Sequence, residues 1–247
     1  MIRGNGQPRR VVITGMGVVS PLGSDVETLW KRLIAGESGI GPVTRFDTTK
    51  YDTRFAAEVQ GFRAEDCMDR KEIRRTDLFV QYAIGATAQA VKQAGVSPES
   101  VDPNRYGVVV GSGIGGIATF EDQHRTLLEK GPSRVSPFFI PMMISDMASG
   151  QVSIQFGAKG PNYCTVSACS SGAHAVGDAF RIIQYNEADV MISDMASGQV
   201  SIQFGAKGPN YCTVSACSSG AHAVGEAFRI IQYNEADVMI SAGAEAP

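Results

Sequence analysis

An α/β fold, a mixed sheet with covering helices, follows from three features of the sequence. β-Branched runs closed by glycine, such as Arg9 to Gly15 and Tyr106 to Gly111, alternate with stretches whose apolar residues recur at helical spacing. Hydrophobic residues make up 43% of the 247 residues and charged residues 19%, which is enough apolar chain to bury a core and too little charge for disorder. The third feature is a repeat: residues 143–190 and 191–238 are the same segment twice, differing only at Asp178 against Glu226. Each copy contains a run, Gly160 to Arg181 in the first, where an apolar stretch closes on a cysteine and small residues ahead of an alanine-rich helical pattern.

Taken in order, the first predicted strand is Arg9 to Gly15, with a loop over 15–23. Ser24-Asp25-Val26-Glu27 has the form of a capping box, and Val26, Leu29, Trp30, Leu33 and Ile34 keep helical spacing until Gly36. Residues 37–53 read as loop and Phe55 to Val59 as a short strand. Leu78 to Ala94 predicts a helix that Gly95 ends, and Tyr106 to Gly111 a strand. Met142 to Phe156 predicts one helix ended by Gly157. After it come a strand from Tyr163 to Ala168, an elbow at Cys169, a helix from Ser170 to Gln184 and a strand from Ala188 to Ile192. Strand alternating with helix is the pattern of a sheet covered on its faces.

Composition excludes several function classes. A net charge of −3 gives no general affinity for nucleic acid or an anionic membrane, and no apolar run approaches the length of a membrane span. The basic start MIRGNGQPRR leads into a short, glycine-broken run rather than a targeting segment. Five cysteines, an odd number, point to free thiols in a reducing compartment, hence the cytoplasm. GSGIGG at 111–116 fits a dinucleotide-binding string after a strand, but no acidic residue closes a second strand about 20 residues on. The glycines are better used where a loop passes close beneath another backbone. No cofactor is expected.

Cys67 stands alone in a polar segment, whereas Cys164/Cys169/His174 and Cys212/Cys217/His222 give C-x4-C-x4-H twice. A Cys/His metal-binding module is the reading this raises. Cysteines five apart point to opposite faces of a strand and well off one face of a helix, so they do not readily share an ion. A cysteine at a helix N-terminus instead meets unpaired N–H groups and the positive end of the macrodipole, which favour a thiolate. Cys169, or its duplicate Cys217, is therefore the candidate nucleophile. His174 and His222, inside the following helix, read as packing histidines. Arg70, Lys71, Arg74 and Arg75 form a basic cluster, either a solvated helix start or a docking patch for an acidic partner.

Architectural repeats diverge and solenoids need at least three units, so two near-identical copies indicate a tandem duplication or a slip in assembling the gene sequence. The string Met-Ile-Ser at 143, 191 and 239 marks the seam. Met143-Ile144-Ser145 is expected in a helix and Met191-Ile192-Ser193 at the end of a strand, so the second copy's helix would start near Asp194. One sheet position cannot hold both copies. The first has its full upstream helix and is the expected occupant, while only the second runs on into Ser241-Ala242-Gly243-Ala244-Glu245.

The segments VVITGMGVVSPLG, DRKEIRRTDLFVQYA, GSGIGG, SPFFIPMMISDMASGQVSIQFGAKGPN and TVSACSSGAHAVGDAFRII, in this order, resemble the amino-terminal half of a β-ketoacyl-acyl-carrier-protein synthase of the elongating type II kind. The resemblance implies a thiolase-like fold and a single amino-terminal synthase domain over 1–247. It implies a homodimer formed through a strand of that half, and an enzyme of fatty acid synthesis. Such an acyltransferase takes an acyl chain on cysteine and condenses it with malonyl-carrier protein, releasing CO2. Its partners are acyl carrier protein, whose phosphopantetheine carries the substrate, and acyl and malonyl thioesters. Carried over residue by residue, Cys169 is the nucleophile with Cys217 as its duplicate, and Lys71, Arg74 and Arg75 receive the carrier protein. The family's two catalytic histidines, its lysine and its second oxyanion-hole donor belong to the carboxy-terminal half, absent here, so these 247 residues alone are expected not to condense. With a large apolar face uncovered, they are expected to aggregate or pair. The alternative from another class is a non-catalytic subunit that pairs with a complete synthase.

Overall fold

The computed structural model describes residues 9–193, the Cys169 side chain excepted. Within them, residues 12–97 form one compact unit, and residues 9–11 with 98–193 the other. The second copy's predicted helix start near Asp194, Cys217 and His222 lie outside the described residues.

In the unit of residues 12–97, helix α1 (Val26–Ile34) starts one residue later than the capping box implies. Asp25, not Ser24, is the cap: its carboxylate accepts the Thr28 backbone N–H at 2.8 Å, and this bond holds its pKa below the usual carboxylate value. A carboxylate is the stronger acceptor for an orphan helix N–H, while Ser24 Oγ is buried with no hydrogen-bond partner among the described residues. No residue of α1 is buried, and Leu33 and Ile34 of its apolar stripe are exposed. Strands β1 (Gly41–Pro42) and β2 (Phe55–Ala56) pair antiparallel, so the predicted strand at 55–59 is two residues long. A short helix α2 (Arg70–Ile73) precedes α3 (Leu78–Ala94), which Asp77 caps and Gly95 closes in the left-handed region at φ 65°. Val80 and Ile84 on α3 are fully buried.

The predicted strand Arg9 to Gly15 does not form a strand. Val12 and Ile13 are exposed, and just beyond them the backbone turns to side chains of α3: Met16 N–H donates to Gln93 Oε1 at 2.6 Å and Gln89 Nε2 donates to Val18 O at 3.0 Å. Gly17 runs so close to α3 that an added Cβ would lie 1.9 Å from the Ala86 carbonyl oxygen.

In the other unit, β3 (Tyr106–Gly111) is buried nearly throughout and is the centre of a parallel sheet ordered β4-β3-β5. A long helical crossover through α4 (Ile117–Lys130), α5 (Phe139–Met143) and α6 (Met147–Phe156) leads to β4 (Asn162–Thr165). Helix α7 (Ser171–Gln184) then leads to β5 (Val190–Ser193). Val109 stands opposite Tyr163 on one side and Ser193 on the other. Val109, Ala175, Ile182 and Ala188 form a buried cluster against which Tyr163 and Met191 pack. Parallel strands joined through helices, with the central strand buried, are the α/β arrangement the sequence predicts.

Two elements of this unit differ from expectation. The single helix over 142–156 is broken between α5 and α6, because the Gly116 N–H takes the Met143 carbonyl at 2.8 Å. That carbonyl is the one Met147 would need for the helix to continue, and Met147 N–H goes to Ile144 O instead. The seam tripeptide accordingly adopts two states: Met143 ends α5, while Met191-Ile192-Ser193 lies in β5. The predicted strand to Ala168 stops at Thr165, where the chain leaves the sheet for the elbow.

An ionic clasp secures the start of β5. Asp189 accepts from Arg105 at 2.5 Å and from Arg9 at 2.8 Å, Arg105 and Arg9 also donate to Asn186 Oδ1, and Asp189 N–H bonds Arg105 O. The Arg105 bond, reinforced by Arg9, holds the Asp189 pKa at about 2, below its ordinary 3.8. A lowered folded-state pKa contributes stability that is full above 3.8 and is lost as pH falls through about 2. Asp189 is 46% exposed, so solvent screening keeps the contribution below about 1 kcal/mol. Asp189→Asn is expected to flatten the fall of Tm between pH 4 and 2 and to leave the slope above pH 5 unchanged. Thermal melts across pH check this, and an unaltered acid limb would contradict it.

Candidate active site

The elbow between β4 and α7 is built from strained backbone and hydroxyl groups. After β4, Ser167 takes φ −147°, ψ 48° and Ala168 a left-handed φ of 49°, which costs a residue with a Cβ about 1 kcal/mol. Residues 168–170 make one 3-10 turn, and α7 begins at Ser171, so the Cys169 backbone lies two residues before the helix. Strain of this kind persists only where neighbours over-determine it. The Ser170 hydroxyl donates to Ser167 O at 2.9 Å, and the Ser171 hydroxyl donates to Ala168 O at 2.7 Å while accepting the Ser167 N–H at 2.9 Å. Thr165 Oγ1 donates to Ser171 O at 2.7 Å and ties the end of β4 to the first residue of α7. Ser170 and Ser171 are buried.

The glycine string lies directly beneath. A Cβ on Gly111 would stand 2.2 Å from the Ser171 carbonyl carbon and 2.3 Å from the Gly172 nitrogen, so only glycine lets the end of β3 pass under the first turn of α7. Gly115, at φ 81°, comes as close to Met143 O. These glycines serve backbone approach.

The other sequence-predicted residues are placed as follows. Cys164 is on β4, half-buried, with its sulfur directed at Thr165 O, and the imidazole of His174 is engaged by Ser167. Cys164 and His174 thus point to separate partners, and among the described residues no three His, Cys, Asp or Glu groups gather as a metal site. His174 is not the packing histidine the sequence suggests. It is exposed, and its Nδ1 lies 2.6 Å from Ser167 Oγ, a contact that no local sequence rule signals because it spans the elbow. Cys67 is held opposite to a nucleophile: burial first, and Asp66 second, push its thiol pKa up. In the other unit Arg70, Lys71 and Arg74 are exposed on and beside α2, and Arg75 lies 3.9 Å from Glu72. No helix among the described residues is long and apolar enough to cross a membrane.

Comparison with known proteins supplies the family. The profile described as "Beta-ketoacyl synthase, N-terminal domain" matches residues 8–193 and again 192–247, so the second match begins at the repeat seam. A 3-oxoacyl-[acyl-carrier-protein] synthase 2 of Staphylococcus aureus (strain COL) is 53% identical over 183 residues, 74% of this chain and 44% of the relative. The chain therefore spans less than half the length of that relative. Among solved structures, the ishigamide ketosynthase/chain length factor superposes with a TM-score of 0.70 at 27% identity, covering 83% of this chain and 53% of that one. A β-ketoacyl synthase from Burkholderia phymatum STM815 gives 0.66 at 30% identity, over 79% and 49% of the two chains. The fold is the amino-terminal portion of the thiolase-like ketosynthase architecture, and the chain belongs to the β-ketoacyl synthase family.

Proposed function

We propose that the protein to which these residues belong is a 3-oxoacyl-acyl-carrier-protein synthase of fatty acid elongation, and that Cys169 is its acyl-accepting nucleophile. The observation that carries this is the elbow: a strained turn, held by the hydroxyl groups of Thr165, Ser170 and Ser171, that delivers the Cys169 backbone to the start of α7. Helix N-terminal N–H groups and the macrodipole favour a thiolate there, and the Cys169 N–H is suited to donate to the oxyanion of a tetrahedral thioester adduct. Thiolate attack on an acyl thioester exchanges one thioester for another, so the transfer needs no metal or organic cofactor. The acyl-cysteine would then accept the carbanion of a decarboxylating malonyl thioester.

What supports the choice of Cys169 over Cys217 is the seat itself. Arg9 and Arg105, which clasp Asn186 and Asp189, occur once, whereas the clasped residues recur in the second copy as Asn234 and Asp237. The sheet therefore has one seat for two candidates. Residues 1–247 are read as one amino-terminal synthase domain carrying a tandem duplication. The exposed cations at Arg70, Lys71 and Arg74, with Arg75, are suited to an acidic carrier protein whose phosphopantetheine delivers the acyl group, and Lys71, Arg74 and Arg75 are assigned to that docking. A homodimer in the cytoplasm completes the reading.

The test is incubation of the chain with acyl-carrier-protein thioester followed by peptide mass mapping. The acyl mass is expected on Cys169, lost in Cys169→Ala and reduced severalfold at moderate salt when Lys71 and Arg74 become glutamate. An acyl group on neither elbow cysteine would overturn the reading in favour of a non-catalytic subunit.

A further inference from the structure

Among the bonds that hold the elbow, the Ser167–His174 contact is distinct. Each of the others joins residues within the turn or at its immediate ends, from Thr165 to Ser171, and their hydroxyl donors include the buried Ser170 and Ser171. His174 is the fourth residue of α7 and reaches back over the turn, from solvent, to the residue two places before Cys169. From these observations, and resting on the nucleophile assignment above, we infer that Ser167 and His174 are positioning residues for acyl transfer: their hydrogen bond holds the Cys169 backbone in its reactive orientation.

The physical basis is the geometry of the turn. Ala168 occupies an unfavourable left-handed conformation, and its relaxation from φ 49° would release strain and rotate the peptide that carries the Cys169 N–H. An oxyanion donor is effective only when it is held where charge develops, and displacement by about 1 Å can cost about a hundredfold in rate. In the neutral imidazole with its proton on Nε2, Nδ1 accepts the Ser167 hydroxyl proton. At 2.6 Å this fixes the Ser167 side chain against α7 and opposes the relaxation. The buried core does not depend on the contact, since both side chains lie at the solvent edge. The pair is thus separable from folding: the hydrogen bond sets the rate, and the core sets the stability.

The test measures the rate of Cys169 acylation by acyl-carrier-protein thioester, alongside Tm, in the full chain. His174→Ala is expected to slow acylation about tenfold or more with Tm shifted by no more than a few degrees. His174→Asn, whose Oδ1 can stand where Nδ1 stands, is expected to restore most of the rate, and the restoration separates positioning from a general loss of packing. Ser167→Ala should match His174→Ala, and the double variant should be no slower than either single one, as expected for two groups acting through one bond. Unchanged rates in the single variants, or a loss that follows Tm and is not recovered by asparagine, would overturn the inference while leaving the nucleophile assignment standing. A wild-type chain that takes no acyl group at Cys169 would overturn both.

Discussion

Gly111→Ala is expected to lower stability by about 3 kcal/mol and to abolish selective reaction at Cys169. The added methyl group meets the Ser171–Gly172 peptide, with Ser171 C at 2.2 Å, Ser171 O at 2.3 Å and Gly172 N at 2.3 Å. A flexible side chain could swing aside, but the first turn of α7 can move only by breaking the bonds that Ser171 makes to Thr165, Ser167 and Ala168. The same substitution at Gly41, where among the described residues an added Cβ would meet nothing within 4 Å beyond its chain neighbours, is the matched control and should be close to neutral. Urea unfolding of the two variants makes the comparison. Equal midpoints would show that β3 does not lie against α7 as described.

A comparable loss, about 2 to 3 kcal/mol, is expected for Gly17→Ala. Here the methyl group would stand 1.9 Å from the Ala86 carbonyl oxygen and 2.8 Å from its carbon, inside α3, with Gln89 Cβ at 2.9 Å. Helix carbonyls are fixed by their own ladder, so the segment that carries Gly17 must lift, and Gln89 would then lose its bonds to Val18. Because residues 12–97 form a unit of their own, this loss should leave the Cys169 alkylation rate nearly unchanged below the unfolding transition. Gly111→Ala and Gly17→Ala would therefore be similar in stability and opposite in reactivity. Parallel losses of reactivity in the two variants would contradict the division.

These two glycines also show which parts of the structure the sequence makes legible. Strand β3 and helices α3 and α7 follow from local information: an unbroken β-branched run closed by glycine, and helical periodicity ended by glycine or by the strand that follows. The elbow is legible for the same reason, since an apolar run, a cysteine and small residues before a helical pattern are all neighbours in sequence. What fails is whatever depends on a distant partner. Arg9 to Gly15 has the composition of a strand, yet the chain that follows spends its hydrogen bonds on Gln89 and Gln93. Met142 to Phe156 has the periodicity of one helix, yet a glycine loop some thirty residues earlier captures the Met143 carbonyl. Met-Ile-Ser adopts helix-end and strand conformations at its two described positions, so local propensity does not decide its state. The Ser167–His174 contact was hidden in the same way, because its partners face each other only once the elbow is folded.

The single difference between the copies can be placed physically in the first. Asp178 accepts the Tyr163 hydroxyl at 3.1 Å, and burial, with this bond second, pushes the Tyr163 pKa up to about 12. Glutamate at that position keeps the acceptor with one more methylene, so Glu226 does not by itself disqualify the second copy from the same seat. The preference for the first copy rests on its place in the sheet.

Alkylation by limiting iodoacetamide followed by tryptic mapping reads out whether the elbow activates the Cys169 thiol. Cleavage after Lys159 and Arg181, and after Lys207 and Arg229, yields two peptides that differ only by Asp178 and Glu226, and fragment spectra separate each elbow cysteine from its neighbour. Rapid labelling of Cys169, persisting well below pH 8 while Cys164, Cys67 and the second-copy cysteines react slowly, is the predicted result. Equal, slow labelling of Cys164, Cys169, Cys212 and Cys217 would contradict it, since no helix terminus would then be activating a thiol.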